Sequence, residues 1–497
     1  MTAGADLRTM LGEAVLLERA GRLPEAEAAY VRLLARWPDL PDSWYNLALL
    51  QRKAGRFDAA LASYQQALDR GVGRPEEVHL NRAVVYSDGL RREDAAEREL
   101  ATALAINPGY LPAMMNLANL KSDFGHRSDA LELYERILAL DPKGFDALAR
   151  YAELTTVSGP DDPLIGRLRR ALAEPAATPA DRASLGFALG KSLDACGAYD
   201  QAFAAYATAN RASRDGAAPG AVPYDRRRME AFVDQIIGAF ATDGPARAAP
   251  EPADRPIFIC GMFRSGSTLT EQVLAGHSRV SAGGEIDFVP TLVGTELAPF
   301  PARMAGLSEG QLVQFAARYR SRLAKLFPGA DHITDKRPDN FLYIGLIKRM
   351  FPGARIVHTT RDPLDNCLSI HFLHLDHGMG YALDLMDTAH YYRQYRRLMA
   401  HWKALYFDDI LDFDYDAFVR DPRPAVTRLL SFCGLDWEES CMSFQNVANA
   451  VKTASVWQVR EPLYQRSSGR SRHYARHLDA LRTYLADVGG GTATGPD

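Results

Sequence analysis

Cysteine is scarce in this chain of 497 residues. There are five, Cys196, Cys260, Cys367, Cys433 and Cys441, an odd number at scattered spacings with no Cys-x-x-Cys pair. That excludes a disulfide framework and a thiolate zinc site, and each cysteine reads as a small buried hydrophobe. An excess of one charge is also missing. Lys and Arg total 58 against 62 Asp and Glu, a net charge of −4. No global basic field advertises nucleic acid or an anionic membrane, so any anion site must be local. No apolar run is long enough to span a bilayer. The first residues, Met1-Thr-Ala-Gly-Ala-Asp-Leu-Arg8, lack the basic-then-apolar layout of a secretory signal. These absences predict a cytoplasmic protein with no membrane span and no nucleic-acid partner. The length exceeds that of a single core and predicts at least two domains.

The first half repeats itself. Asn46, Asn81 and Asn116 fall 35 residues apart, each in an apolar helical context. A second pattern, glycine then alanine then a large residue, recurs beside it. Its alanines Ala26, Ala60, Ala96 and Ala130 are spaced by 34, 36 and 34 residues, and a weaker copy follows at Gly197 to Tyr206. Two helices per period, with a small residue where they cross, resemble the tetratricopeptide repeat from Leu11 to about Asn210. One such hairpin cannot bury its apolar face, so neighbours stack into a solenoid with a concave surface. Prolines at 160, 163, 175 and 179 blur the register and predict an atypical repeat there. Arg227 to Phe240 reads as one more helix. The small, proline-rich stretch 241–254 reads as a linker between a helical domain, 1–240, and a second domain, 255–490.

The second domain opens on Ile257-Phe-Ile-Cys-Gly-Met-Phe-Arg-Ser-Gly-Ser-Thr268. An apolar strand, a glycine loop and a helix start point backbone N–H groups at an anion. Gly261 and Gly266 have the spacing of a P-loop, but Ser267 stands where its lysine belongs, and a cation enters earlier as Arg264. Further strands are predicted at His332–Lys336, Arg355–Thr360 and Ile410–Tyr415. Helices are predicted over 308–326, over 341–351 and after Pro363. Alternation of this kind predicts a mainly parallel sheet with the ligand outside its carboxyl ends. Arg264, Lys336 and Arg361 each fall just past a predicted strand.

Those residues also carry a resemblance. Phe263 to Leu269 is similar to the 5′-phosphosulfate loop of the sulfotransferases. Arg361-Asp-Pro-Leu-Asp-Asn-Cys-Leu-Ser369 is similar to their 3′-phosphate motif. With Gly284-Glu285 and Lys336-Arg337-Pro338, the order of motifs over about 255–485 resembles that of the tyrosylprotein sulfotransferases. The resemblance implies a P-loop-like α/β domain behind an α-helical tetratricopeptide solenoid. It implies 3′-phosphoadenosine 5′-phosphosulfate as donor and adenosine 3′,5′-bisphosphate as product. Ser265, Gly266, Ser267, Thr268 and Leu269 would cradle the 5′-phosphate with Arg264. Lys336 would stabilise the leaving oxygen, and Arg361 and Ser369 would bind the 3′-phosphate. Ser455 and the late basic loop at Arg470 would complete the donor site. Glu285 is the candidate general base, or else an ion-pair partner of Arg264 or Lys336. Arg337 stands where that family carries an aspartate.

The chain is therefore expected to be a sulfotransferase acting on a protein, peptide or glycan hydroxyl, with the repeats holding acceptor or partner. The rival readings are a P-loop nucleotide kinase and a non-catalytic repeat scaffold. Ser267 in the lysine position counts against the first, and the joint presence of Arg264, Glu285, Lys336, Arg361 and Ser369 against the second. His371, His374 and His377 lack a fixed carboxylate partner and read as solvated or donor-contacting side chains, with no metal expected.

Overall fold

The computed structural model describes residues 3–218, 220–241, 256–375, 377–447, 459, 463 and 468–486. The chain divides into two compact units, Met1–Ala147 and Leu148–Asp497.

The first unit is built of helical hairpins, beginning with Ala3–Arg19 against Leu23–Arg36 and Pro41–Lys53 against Phe57–Asp69. Pro41 and Pro75 each occupy the first helical position, where a missing N–H costs nothing. Gly21, Gly55 and Gly125 turn the chain between helices at φ of 72°, 71° and 81°, a region closed to most side chains. The periodic alanines Ala26, Ala60, Ala96 and Ala130 are all fully buried. Two of the spaced asparagines reach tyrosines: Asn46 Nδ2 donates to Tyr30 Oη (3.3 Å) and Asn81 Nδ2 to Tyr45 Oη (3.0 Å).

The second unit begins with helices too. The atypical stretch forms Pro163–Ala173, capped by Asp162, and Pro179–Ala195, opened by a Thr178–Asp181 capping box. Gly186 and Gly190 let Tyr199–Asp215 close against the latter. A Cβ at Gly190 would stand 2.7 Å from the Tyr206 ring. Arg226–Ala239 follows, and Phe240 at its end packs edge-on to Trp402 at 5.4 Å. The proposed linker lies, from 242 on, outside the described residues.

The sheet has five parallel strands: β1 (Ile257–Gly261), β2 (Val280–Ser281), β3 (His332–Lys336), β4 (Arg355–Thr360) and β5 (Ile410–Asp414), in the order β2-β3-β1-β4-β5. All β1 residues are buried, as a central strand covered on both faces requires. Ile257 and Ile259 join Leu269, Val273, Val357, Phe413 and Leu429 on one face. Phe258 turns to Tyr319 and Phe351 on the other. Leu385–Leu405, the longest helix of this unit, is absent from the sequence expectations. Its buried side mixes the polar Thr388, His390 and Gln394 with Tyr392, Tyr395, Met399 and Trp402, so polar residues interrupt the apolar stripe.

The helices from Leu148 to Ala239 therefore belong to the same compact unit as the sheet. A chain starting at Leu148 is expected to melt in one cooperative transition by circular dichroism. One starting at Ala249 uncovers Phe372, Tyr474 and Trp402 and is expected to lose that transition and bind a hydrophobic dye.

Candidate functional site

The loop after β1 is shaped by close approach. A Cβ at Gly261 would lie 2.5 Å from the Thr359 carbonyl oxygen, and one at Gly266 2.7 Å from the Tyr415 ring. Arg264 itself takes φ 67° and Gly266 φ 104°. The helix Ser267–Ala275 starts there, with Ser267, Thr268 and Leu269 in its first turn. The first N–H groups of a helix have no partner within it and carry its positive dipole end. Ser265 is placed differently. Its Oγ is fully buried on Thr359 Oγ1 (2.6 Å), and its N–H donates to Met262 O (3.1 Å), so it tightens the loop.

The helix Pro363–His371, capped by Asp362, brings the second motif to the same place. Arg264 Nε donates to Ser369 Oγ (3.2 Å), and Arg361 Nη1 donates to the Arg264 carbonyl (3.2 Å). The Arg361 guanidinium lies 5.0 Å over the Tyr415 ring. Asn366 Nδ2 donates to Phe263 O (2.7 Å). Two cations and a hydroxyl separated by about a hundred residues thus meet beside the helix start.

At the end of β3, Lys336 Nζ donates to Glu285 Oε1 at 2.7 Å. The lysine side chain is 1% exposed and the carboxylate 40%. Glu285 is therefore an ion-pair partner of Lys336, and it is also the member of the pair that faces outward. The turn presenting it leaves no room for change, since a Cβ at Gly283 would stand 1.9 Å from Thr334 O. Gly284 N–H and Thr334 Oγ1 both donate to Glu271 Oε1, at 2.9 and 2.6 Å, and Lys336 N–H donates to Gly284 O (2.9 Å). Behind the lysine, burial pushes the Asp335 carboxyl up to about 7, against the pull of hydrogen bonds donated by Tyr319 Oη and Asn340 Nδ2.

Sequence reasoning missed Glu271, Asn366 and Thr359. Glu271 had a signal: a carboxylate between the apolar Leu269 and Val273 of the helix after the loop. Arg470 stands against Asp194 and Phe372. Ser455 lies outside the described residues. His371 is not solvated: it is buried beside Phe203, and its carbonyl accepts from Asn210 Nδ2 (2.8 Å). His374 stacks on Phe187 at 5.1 Å. Among the described residues no group of three His, Cys, Asp or Glu side chains is placed to hold a metal. No helix of them is long and apolar enough to cross a membrane.

Residues 256–439 match the model of the sulfotransferase family, and residues 11–75 and 45–111 match that of the tetratricopeptide repeat. The chain carries tetratricopeptide repeats and a sulfotransferase domain. A curated relative, an uncharacterized protein of Aquifex aeolicus (strain VF5), is 33% identical over 395 residues, covering 76% of this chain and 51% of that protein. The chain thus spans about half the length of the curated relative it matches. Among solved structures, the sulfotransferase domain of the Synechococcus PCC 7002 olefin synthase is similar at 19% identity and a TM-score of 0.34, over 48% of this chain and 98% of that one. A tetratricopeptide repeat protein from Parabacteroides merdae ATCC 43184 is similar at 20% identity and a TM-score of 0.31, over 44% of this chain and 81% of that one.

Burial pushes the His371 imidazole down to about 4 from its ordinary 6.5. The unfolded chain takes up a proton near 6.5 that the native ring refuses. Stability from the neutral ring is therefore present above pH 6.5 and lost as pH falls toward 4, a change of order 3 kcal/mol. The urea midpoint of the wild-type protein is expected to fall across that window, and that of His371→Gln to fall distinctly less.

Proposed function

We propose that the sulfotransferase domain moves a sulfuryl group from 3′-phosphoadenosine 5′-phosphosulfate to an acceptor hydroxyl of a protein, peptide or glycan. The observation that carries this reading is the Lys336–Glu285 pair at 2.7 Å, set beside the helix start and the Arg264–Arg361–Ser369 cluster. The residues suit a donor phosphorylated at both ends. A glycine loop and a helix N-terminus accept one phosphate, and a separate arginine and serine accept the other.

The donor supplies an activated sulfuryl group when bound. First-turn N–H groups of Ser267, Thr268 and Leu269, with the two hydroxyls and Arg264, hold its 5′-phosphate. Arg361 and Ser369 hold the 3′-phosphate, the group that separates this donor from ATP. Lys336, its side chain buried, stabilises negative charge on the departing phosphate oxygen through its ammonium. Glu285 takes the acceptor's proton on its outward carboxylate, and that exposure sets the side from which the acceptor arrives. The pair holds both groups aimed before either substrate binds, so positioning and preorganisation do most of the work. We place the reaction in the cytoplasm and assign the repeats to holding the acceptor or a partner protein.

Adenosine 3′,5′-bisphosphate is expected to raise the melting temperature by mass action, and AMP much less, because AMP leaves Arg361 and Ser369 without a phosphate. Equal shifts, or a larger one with ATP and magnesium, would sink the reading.

Glu285→Gln keeps the shape and removes the basicity. Turnover is expected to drop by roughly 10²–10⁴-fold with bisphosphate affinity nearly unchanged. Lys336→Ala is expected to lower turnover through the leaving group. In a panel of hydroxyl acceptors of graded acidity, the more acidic ones should rescue Glu285→Gln more than Lys336→Ala. Lost bisphosphate binding with normal turnover of bound substrate in Glu285→Gln would leave the carboxylate a structural partner only.

A further inference from the structure

The late segment Ser468–His477 is gripped from two sides. From the sheet side, Asp365 is 2% exposed and lies one turn before Ser369 on the same helix. Its carboxylate accepts the N–H of Gly469 and, at 2.6 Å, that of Ser471. Gly469 takes φ 78°, which lets both amides face one side chain. From the helical side, Arg470 forks onto Asp194 of the helix Pro179–Ala195, Nη2 to Oδ2 at 2.8 Å and Nε to Oδ1 at 3.3 Å. Tyr474 Oη donates to the same carboxylate. The guanidinium lies 5.1 Å over the Phe372 ring, which itself stacks on Tyr206 at 4.0 Å. His473 stacks on Tyr199 at 4.5 Å, and His477 on Phe203 at 4.2 Å.

A bidentate guanidinium with one face on an aromatic ring is committed to that geometry. We propose that Asp194 and Arg470 form a bolt by which the last helical hairpin, Pro179–Ala195 with Tyr199–Asp215, holds the late segment against the helix that carries Ser369. Arg470 is then a positioning residue, not a contact of the donor, and Asp194 is its partner in that task. The hairpin is a working part of the donor site rather than an adaptor for acceptors. The inference rests on the donor assigned above and adds a residue outside the matched sulfotransferase segment. The physical route is short. Loss of the bolt frees the segment, the Gly469 and Ser471 amides leave Asp365, and the 3′-phosphate end of the site loses its wall.

The full chain tests this with Asp194→Asn, Arg470→Gln and the double variant. Bisphosphate affinity is read by calorimetry, and amide exchange of residues 469–477 is read without ligand. Each single change is expected to weaken bisphosphate about tenfold, and the double variant no further, the signature of residues that act as one unit. The KM for the donor should rise, while kcat at saturating donor stays near that of the wild type. Exchange of the segment should quicken in all three. If Arg470→Gln weakens binding while Asp194→Asn does not, Arg470 touches the donor and the bolt is overturned. Should Asp194→Asn fail to fold, Tyr474→Phe removes one hydrogen bond from the same carboxylate. It must quicken exchange and weaken bisphosphate in the same sense, and unchanged values overturn the proposal. A wild-type protein that binds no bisphosphate overturns the donor assignment together with this inference. Wild-type binding with an unaffected Asp194→Asn overturns this inference alone.

Discussion

One buried carboxylate sets the register of the chemistry. Glu271, 3% exposed on the helix after the glycine loop, accepts from the Gly284 amide and from Thr334 Oγ1. Thr334 Oγ1 in turn accepts from Gly283 N–H (3.0 Å). The glycine loop's helix, the turn that presents Glu285 and the strand that ends in Lys336 are thereby joined through one side chain. A buried acceptor with several donors is costly to disturb, because each donor left unsatisfied carries its own desolvation penalty. Gly283 enforces the same register sterically, since only a hydrogen fits against the Thr334 carbonyl.

The helix Pro363–His371 is the second organiser. Successive polar residues on it reach different loops: Asp365 the late segment, Asn366 the carbonyl of Phe263, Ser369 the side chain of Arg264. Its last residue, His371, is buried against Asn210 of the helical hairpin. A helix tied to three loops in this way cannot shift without moving the loops it holds. This explains how a hairpin of repeat type becomes part of the same compact unit as the sheet.

The fold was largely legible because its signals are periodic. The alanines at Ala26, Ala60, Ala96 and Ala130 announce helical hairpins, since a large side chain at a helix crossing would clash. Four of the five strands were legible as short runs between turn signals, whereas β2, only Val280–Ser281, is too short to show a pattern. The helix Leu385–Leu405 was not, because Thr388, His390 and Gln394 interrupt its buried face. Within the site, Arg264, Lys336 and Arg361 were legible as charges at or just past strand ends.

The sequence by itself determined the two kinds of architecture, the parallel sheet and the glycine loop between strand and helix, for these follow from local spacing and backbone conformation. Only the tertiary structure decided which charges face one another. It paired Glu285 with Lys336, turned Ser265 inward onto Thr359, and buried His371. It set Arg470 on Asp194, 276 residues away in the chain. Pairings of that kind depend on which elements the core brings together, and hydrogen bonds across such separations leave no period in the sequence from which to read them.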